Sequence, residues 1–148
     1  MAMKKVVMFM MLLMVACGTT TSAKTKGVKE FRALYTQYLD PDPRVEGNWK
    51  IGEAEELKEP FMIYYSKNYI RINNTSYFID KSTLKTEDYT KEQNPGYAKS
   101  TAFAATSLVG ESIFVTMEYG NRENPKLYGF SIFDRTNQGH FYLAELQN

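Results

Sequence analysis

From residue 47 to the C-terminus, apolar residues recur at alternate positions, and no useful stripe of 3.6-residue period is found. Successive side chains of a β-strand point to opposite faces of its sheet, so this pattern commits most of the chain to strands with one buried face. The clearest case is 111–119, where Ile113, Val115, Met117 and Tyr119 share one face. Ser112, Thr116 and Glu118 take the other, with Phe114 as its one apolar residue. Further strands are expected at 48–55, 61–67, 69–73, 77–80, 100–106, 126–134 and 140–146. Lys67-Asn68, Asn73-Asn74, Val109-Gly110, Gly120-Asn121 and Asn137-Gln138-Gly139 supply joints that accept positive φ. Short joints make consecutive strands antiparallel neighbours. Eight such strands must dispose of two sheet edges. An up-and-down antiparallel barrel of about eight strands does so by closing, and a two-layer sandwich is the second solution.

Ahead of the strands, 26–40 reads KGVKEFRALYTQYLD. Val28, Phe31, Leu34, Tyr35, Tyr38 and Leu39 fall at helical spacing, opposite Lys29, Glu30, Arg32, Thr36 and Gln37. The spacing predicts one amphipathic α-helix before the barrel, ended by Asp40-Pro41-Asp42-Pro43. Its apolar face has two destinations, the following domain or else a partner or membrane surface. The mixed charge of the polar face weakens the membrane version. The polar stretch 81–99 is too long for a structureless loop in a compact domain. Either 84–89 adds a strand or the stretch is a mobile flap at the barrel mouth.

Composition narrows the function. The 43% apolar content excludes a disordered chain. With 18 Lys+Arg against 17 Asp+Glu there is no basic footprint for nucleic acid. One cysteine, Cys17, excludes a disulfide framework and a cysteine-based zinc site, and one histidine, His140, excludes multi-histidine metal sites. A Ser-His-Asp or Cys-His arrangement would have to use His140, which sits at an expected turn, and no Gly-x-Ser-x-Gly nucleophile turn is present. Glu53, Glu55, Glu56 and Glu59 form the one acidic cluster and read as a solvated edge. No calcium loop or phosphate-cradling glycine loop occurs. These residues point to a non-catalytic protein without a cofactor or metal.

The N-terminus carries a more specific signal. Lys4 and Lys5 precede an unbroken apolar run of 11 residues, 6–16. A bilayer core takes about 20 residues of helix, so the run suits the h-region of a secretory signal. It ends in Leu13-Met14-Val15-Ala16-Cys17-Gly18. This resembles the lipobox of bacterial lipoproteins. The resemblance implies removal of residues 1–16 and modification of Cys17 by a diacylglyceryl group and a further acyl chain such as palmitate. Several acyl chains, at about 0.8 kcal/mol per buried methylene, hold a protein to a membrane durably. Residues 17–26 then form a lipid-anchored tether, small and polar, reaching at most about 30 Å. Residues 27–148 form the helix and barrel domain. Gly18 follows the cysteine rather than aspartate, so nothing argues for inner-membrane retention, and in an organism with two membranes the resemblance favours the outer membrane or cell surface.

The segment Gly47-Asn48-Trp49-Lys50, with a helix-and-proline stretch before it, resembles the lipocalin and wider calycin pattern, as do FMIYYSKNYIRINNTSYFID and the late FYLAEL. The resemblance implies that Gly47 and Trp49 open the first strand and that Trp49 closes the barrel base. Arg135 is the candidate to pack over its ring, a cation–π contact worth about 0.5–2 kcal/mol. The same resemblance implies a carrier of a small hydrophobic ligand.

Tyr, Phe and Trp make up 14% of the chain. An eight-stranded barrel is just wide enough for side chains or one small ligand, so large inward rings favour a filled interior. In Tyr64-Tyr65 and Phe141-Tyr142, adjacent positions point to opposite faces, which sends one ring of each pair outward. Outward tyrosines suit protein recognition. Tyr64, Tyr65, Tyr128 and Tyr142 are therefore the candidate binding residues. The expected function is a cell-envelope lipoprotein that binds an envelope or host protein, with the carrier as the alternative. Cys17→Ala is expected to leave an unlipidated precursor, seen as loss of acyl-label incorporation and of membrane association on fractionation.

Overall fold

The alternating pattern is realised as a closed antiparallel β-barrel. The computed structural model describes residues 27–41 and 49–148, with backbone alone at 41 and 49–51. In chain order the strands are β1 (Lys29–Pro41), β2 (Trp49–Ile51), β3 (Glu55–Glu56), β4 (Met62–Tyr65), β5 (Tyr69–Ile72), β6 (Thr75–Asp88), β7 (Tyr97–Ser107), β8 (Ser112–Asn121), β9 (Leu127–Phe133) and β10 (Gly139–Leu146). From β4 to β10 each strand pairs with the next, β4 pairs with β1, and β1 pairs with β10 to close the ring. Three short strands, β2, β3 and β4, lie in succession along one edge of β1. They form one interrupted stave, which makes eight staves in all. Pro60, which has no N–H to donate, lies in the longer interruption, between β3 and β4.

No helix occurs among the described residues. The segment read above as an amphipathic helix is β1, a bulged strand with apolar residues on both faces. Phe31 and Ala33 face inward and Arg32 outward; the register then shifts between Ala33 and Tyr35. Beyond the shift Thr36 and Tyr38 pair with the inward Tyr142 and His140, and Tyr35 pairs with Leu143. The apolar residues are divided between the two faces, with Phe31 and Tyr38 inward and Val28 and Tyr35 outward, so their helical spacing does not mark one buried stripe. Pairing along both edges of β1 then overrides local propensity.

Of the two readings of 81–99 the strand holds, as a continuation of the preceding strand. Residues 81–88 continue β6, a turn follows, and β7 starts at Tyr97. Between the pairs Asp80↔Ala104 and Lys85↔Ala102 four residues of β6 stand against one of β7. Thr83 bridges this bulge, its hydroxyl donating to Asp80 O at 2.7 Å and accepting from Ala104 N at 2.8 Å.

Inward residues fill the barrel. Phe31, Ile63, Ile70, Phe103, Val115 and Phe130 are fully buried in one cluster with Met117 and Tyr128. Phe31 meets Tyr128 at 4.5 Å and Phe130 at 5.0 Å between ring centroids. On the outside, Phe141 and Phe133 lie over glycines. A Cβ at Gly129 would come within 2.8 Å of the Phe141 ring, and one at Gly139 within 2.6 Å of Phe133. Phe31→Ala is expected to lower unfolding free energy by about 3–5 kcal/mol in urea denaturation, whereas Phe78→Ala, at a half-exposed outer position, should change it by less than about 1 kcal/mol.

Candidate functional site

Inward and outward alternation sorts the aromatic residues into three places. The end of the barrel where β1 begins gathers Lys29, Tyr65, Tyr119 and Tyr128. Lys29 Nζ stands 5.7 Å from the Tyr128 ring centroid, and the Tyr119 and Tyr128 rings stack at 5.8 Å. Below them Tyr65 stacks on Phe103 at 5.9 Å. A chain of hydroxyls runs from Thr86 through Thr101 to Tyr119, each link 3.2 Å.

At the opposite end, His140 lies between the rings of Tyr38, at 4.6 Å, and Tyr142, at 5.9 Å. Tyr142 in turn meets Phe61 edge-on at 5.1 Å. The sole imidazole is thus part of a ring stack. Beside it a cleft of about 380 Å³ opens among Tyr77, Glu111, Asp134 and Arg135. Its polar groups satisfy one another. Tyr77 donates to Glu111 at 3.5 Å, and Arg135 donates to Gly110 O and Ser112 Oγ at 3.3 and 3.4 Å. Among the described residues no group of three or more His, Cys, Asp or Glu is placed to hold a metal ion.

The third place is a groove of about 430 Å³ on the outer face of β4, β5 and β6, lined by Val28, Tyr64, Tyr69, Arg71, Ser76 and Phe78. Register builds it: Tyr64 pairs with Arg71, Arg71 with Ser76, and Tyr69 with Phe78. The tight Asn73-Asn74 turn, with Asn73 at φ 56°, fixes that register. Phe78 is 51% exposed. Arg71 is exposed and has no ion pair or hydrogen bond from its guanidinium among the described residues.

The four tyrosines singled out from the sequence are therefore not brought together. Tyr65 and Tyr128 share the first end, Tyr142 belongs to the other, and Tyr64 alone faces out into the groove. The expectation that one ring of each adjacent pair points outward holds for Tyr64 and also for Phe141, which joins Tyr35 and Leu143 along a second outer groove. Arg71 and Phe78 were missed, although Tyr64, Arg71 and Ser76 follow from the same alternation carried across two tight turns. Cys17 and Gly47 lie outside the described residues. Of Trp49 the backbone is described, paired with Pro41 at the same end as Arg135.

Comparison with family models, curated proteins and solved structures gives no match to the chain.

Burial raises the phenol pKa values of Tyr65, Tyr97 and Tyr142, with smaller contributions from Tyr119 on Tyr65 and from Tyr38 and Tyr77 on Tyr142. A phenol whose folded-state pKa is raised contributes stability that is complete below its unfolded value near 10 and is lost as pH climbs through the folded value. The urea midpoint should therefore fall as pH rises above about 10, and Tyr142→Phe should make that fall shallower.

Proposed function

We propose that this chain is a non-catalytic binding module of the bacterial cell envelope, held to the membrane by lipid on Cys17, that contacts a protein partner through the groove of Tyr64, Tyr69, Arg71 and Phe78. The observation that carries this reading is the Arg71 guanidinium, unpaired among the described residues and set among three outward rings. Arginine and aromatic residues are the types that concentrate binding energy in protein interfaces. A guanidinium without an intramolecular partner is free to meet a carboxylate or carbonyl of another protein. The lipobox-like signal supports an outer-membrane or cell-surface location, where an envelope or host protein is the available partner.

The closed eight-stranded barrel is compatible with a lipocalin-like fold, and the carrier of a small apolar ligand is the competing reading. It has less support, because Phe31, Phe103 and Phe130 occupy the interior that such a ligand would need.

A photo-crosslinking residue at Ser76 in intact envelopes should capture a discrete protein. Arg71→Ala and Tyr64→Ala should each weaken that capture about tenfold or more while leaving circular dichroism unchanged. Undiminished capture by the double variant, or a near-stoichiometric small molecule retained in native mass spectrometry, would overturn the reading.

A further inference from the structure

The long strand β6 outruns its neighbour. β5 pairs with Thr75 to Phe78 only, and Ile79 N makes the last bond across that seam, to Asn68 O at 3.0 Å. On the other side β6 stays paired with β7 as far as Asp88. Tyr89 N donates to Ala98 O at 2.7 Å, which fixes Glu87↔Ser100 and Lys85↔Ala102 as the positions whose N–H and C=O aim at β7. The alternate positions Thr86 and Asp88 aim theirs the other way. Among the described residues no strand meets them there. Leu84, one step further back, is 41% exposed. This is a free sheet edge in an otherwise closed barrel, the feature through which strands add to one another.

The side chains along the edge specify what it fits. Lys85 and Glu87 project to the same face on either side of Thr86 and pair with each other within the strand at 2.8 Å. If a second copy approaches antiparallel with Thr86 opposite its own copy, Lys85 of each strand stands opposite Glu87 of the other. Thr86 then exchanges two backbone hydrogen bonds with its copy, and Leu84 meets Asp88 on each side. Outward N–H groups must meet outward C=O groups, so the neighbouring registers centre on Lys85 or on Glu87. Each of those sets like charge against like, which is destabilising, whereas directly opposed unlike charges stabilise. We propose that two copies of this chain pair through the free edge of β6, about a two-fold axis at Thr86. This is independent of the groove on β4–β6 and of its partner.

The geometry sets its own test. Opposed residues of an antiparallel pair have Cα atoms about 4.5–5.5 Å apart, within disulfide range. In the full chain expressed in its own envelope, Thr86→Cys should give a dimer on mild oxidation, with mass spectrometry locating the link between two copies of position 86. Asn74→Cys, on an exposed turn at the other end of β6, should not. Adding Glu87→Lys should lower the yield about tenfold or more. The exchanged pair Lys85→Glu with Glu87→Lys should restore it. Sedimentation of the detergent-solubilised chain without introduced cysteines should show the same pattern, a dimer dissociated by Glu87→Lys and recovered by the exchange. The proposal is overturned by cross-linking no faster than that of Asn74→Cys, by indifference to Glu87→Lys, by a link from position 86 to a different protein, or by a monomer at every concentration.

Discussion

Phe31 holds the interior of this barrel together. Its ring wedges against Tyr128 and Phe130, at 4.5 and 5.0 Å, and so ties the first stave to the ninth strand across the core. An eight-stave barrel has an interior of nearly fixed width, so a large ring at its centre decides both how the staves pack and what else can enter. The small residues Ala33, Ala105 and Ala144 complete the same cluster, and their size leaves room for the rings. Packing at this density is intolerant of change in volume. The interior is therefore filled by structural packing.

Much of this was legible in the sequence. The alternation around Val115 and Met117, the turns at Asn73 and Gly110, and the outward Phe114 are properties of a two-residue period, and local pattern suffices to read them. The helix expected ahead of the barrel shows where local pattern stops sufficing. The strand in its place carries apolar residues on both faces, which local spacing alone does not separate from one helical stripe; the partners that decide the matter are β10 and β4, far away in sequence. The insertion between Asp80 and Lys85 similarly disguised the second half of β6.

The residues of the proposed binding groove were legible in part. Alternation correctly separates Tyr64 from Tyr65, but which outward residues become neighbours depends on strand order and register. Arg71 gains its importance from standing between Tyr64 and Ser76 in adjacent strands, a relation that no single segment displays. His140 illustrates the converse. From the sequence it reads as a strand-end residue, and only the fold shows it stacked between the rings of Tyr38 and Tyr142.

The pairing that closes the ring joins the two extremes of the domain. Phe31 is opposite Leu146, and the side-chain amide of Asn148 reaches back to Val28 O at 3.0 Å and to Glu30 N at 3.0 Å. Bringing together segments this far apart carries a large loop-closure entropy, and contacts of high sequence separation form late in folding. The barrel cannot shut until its last strand has been made. A chain leaving a ribosome therefore carries β1 with one edge unsatisfied until β10 has emerged.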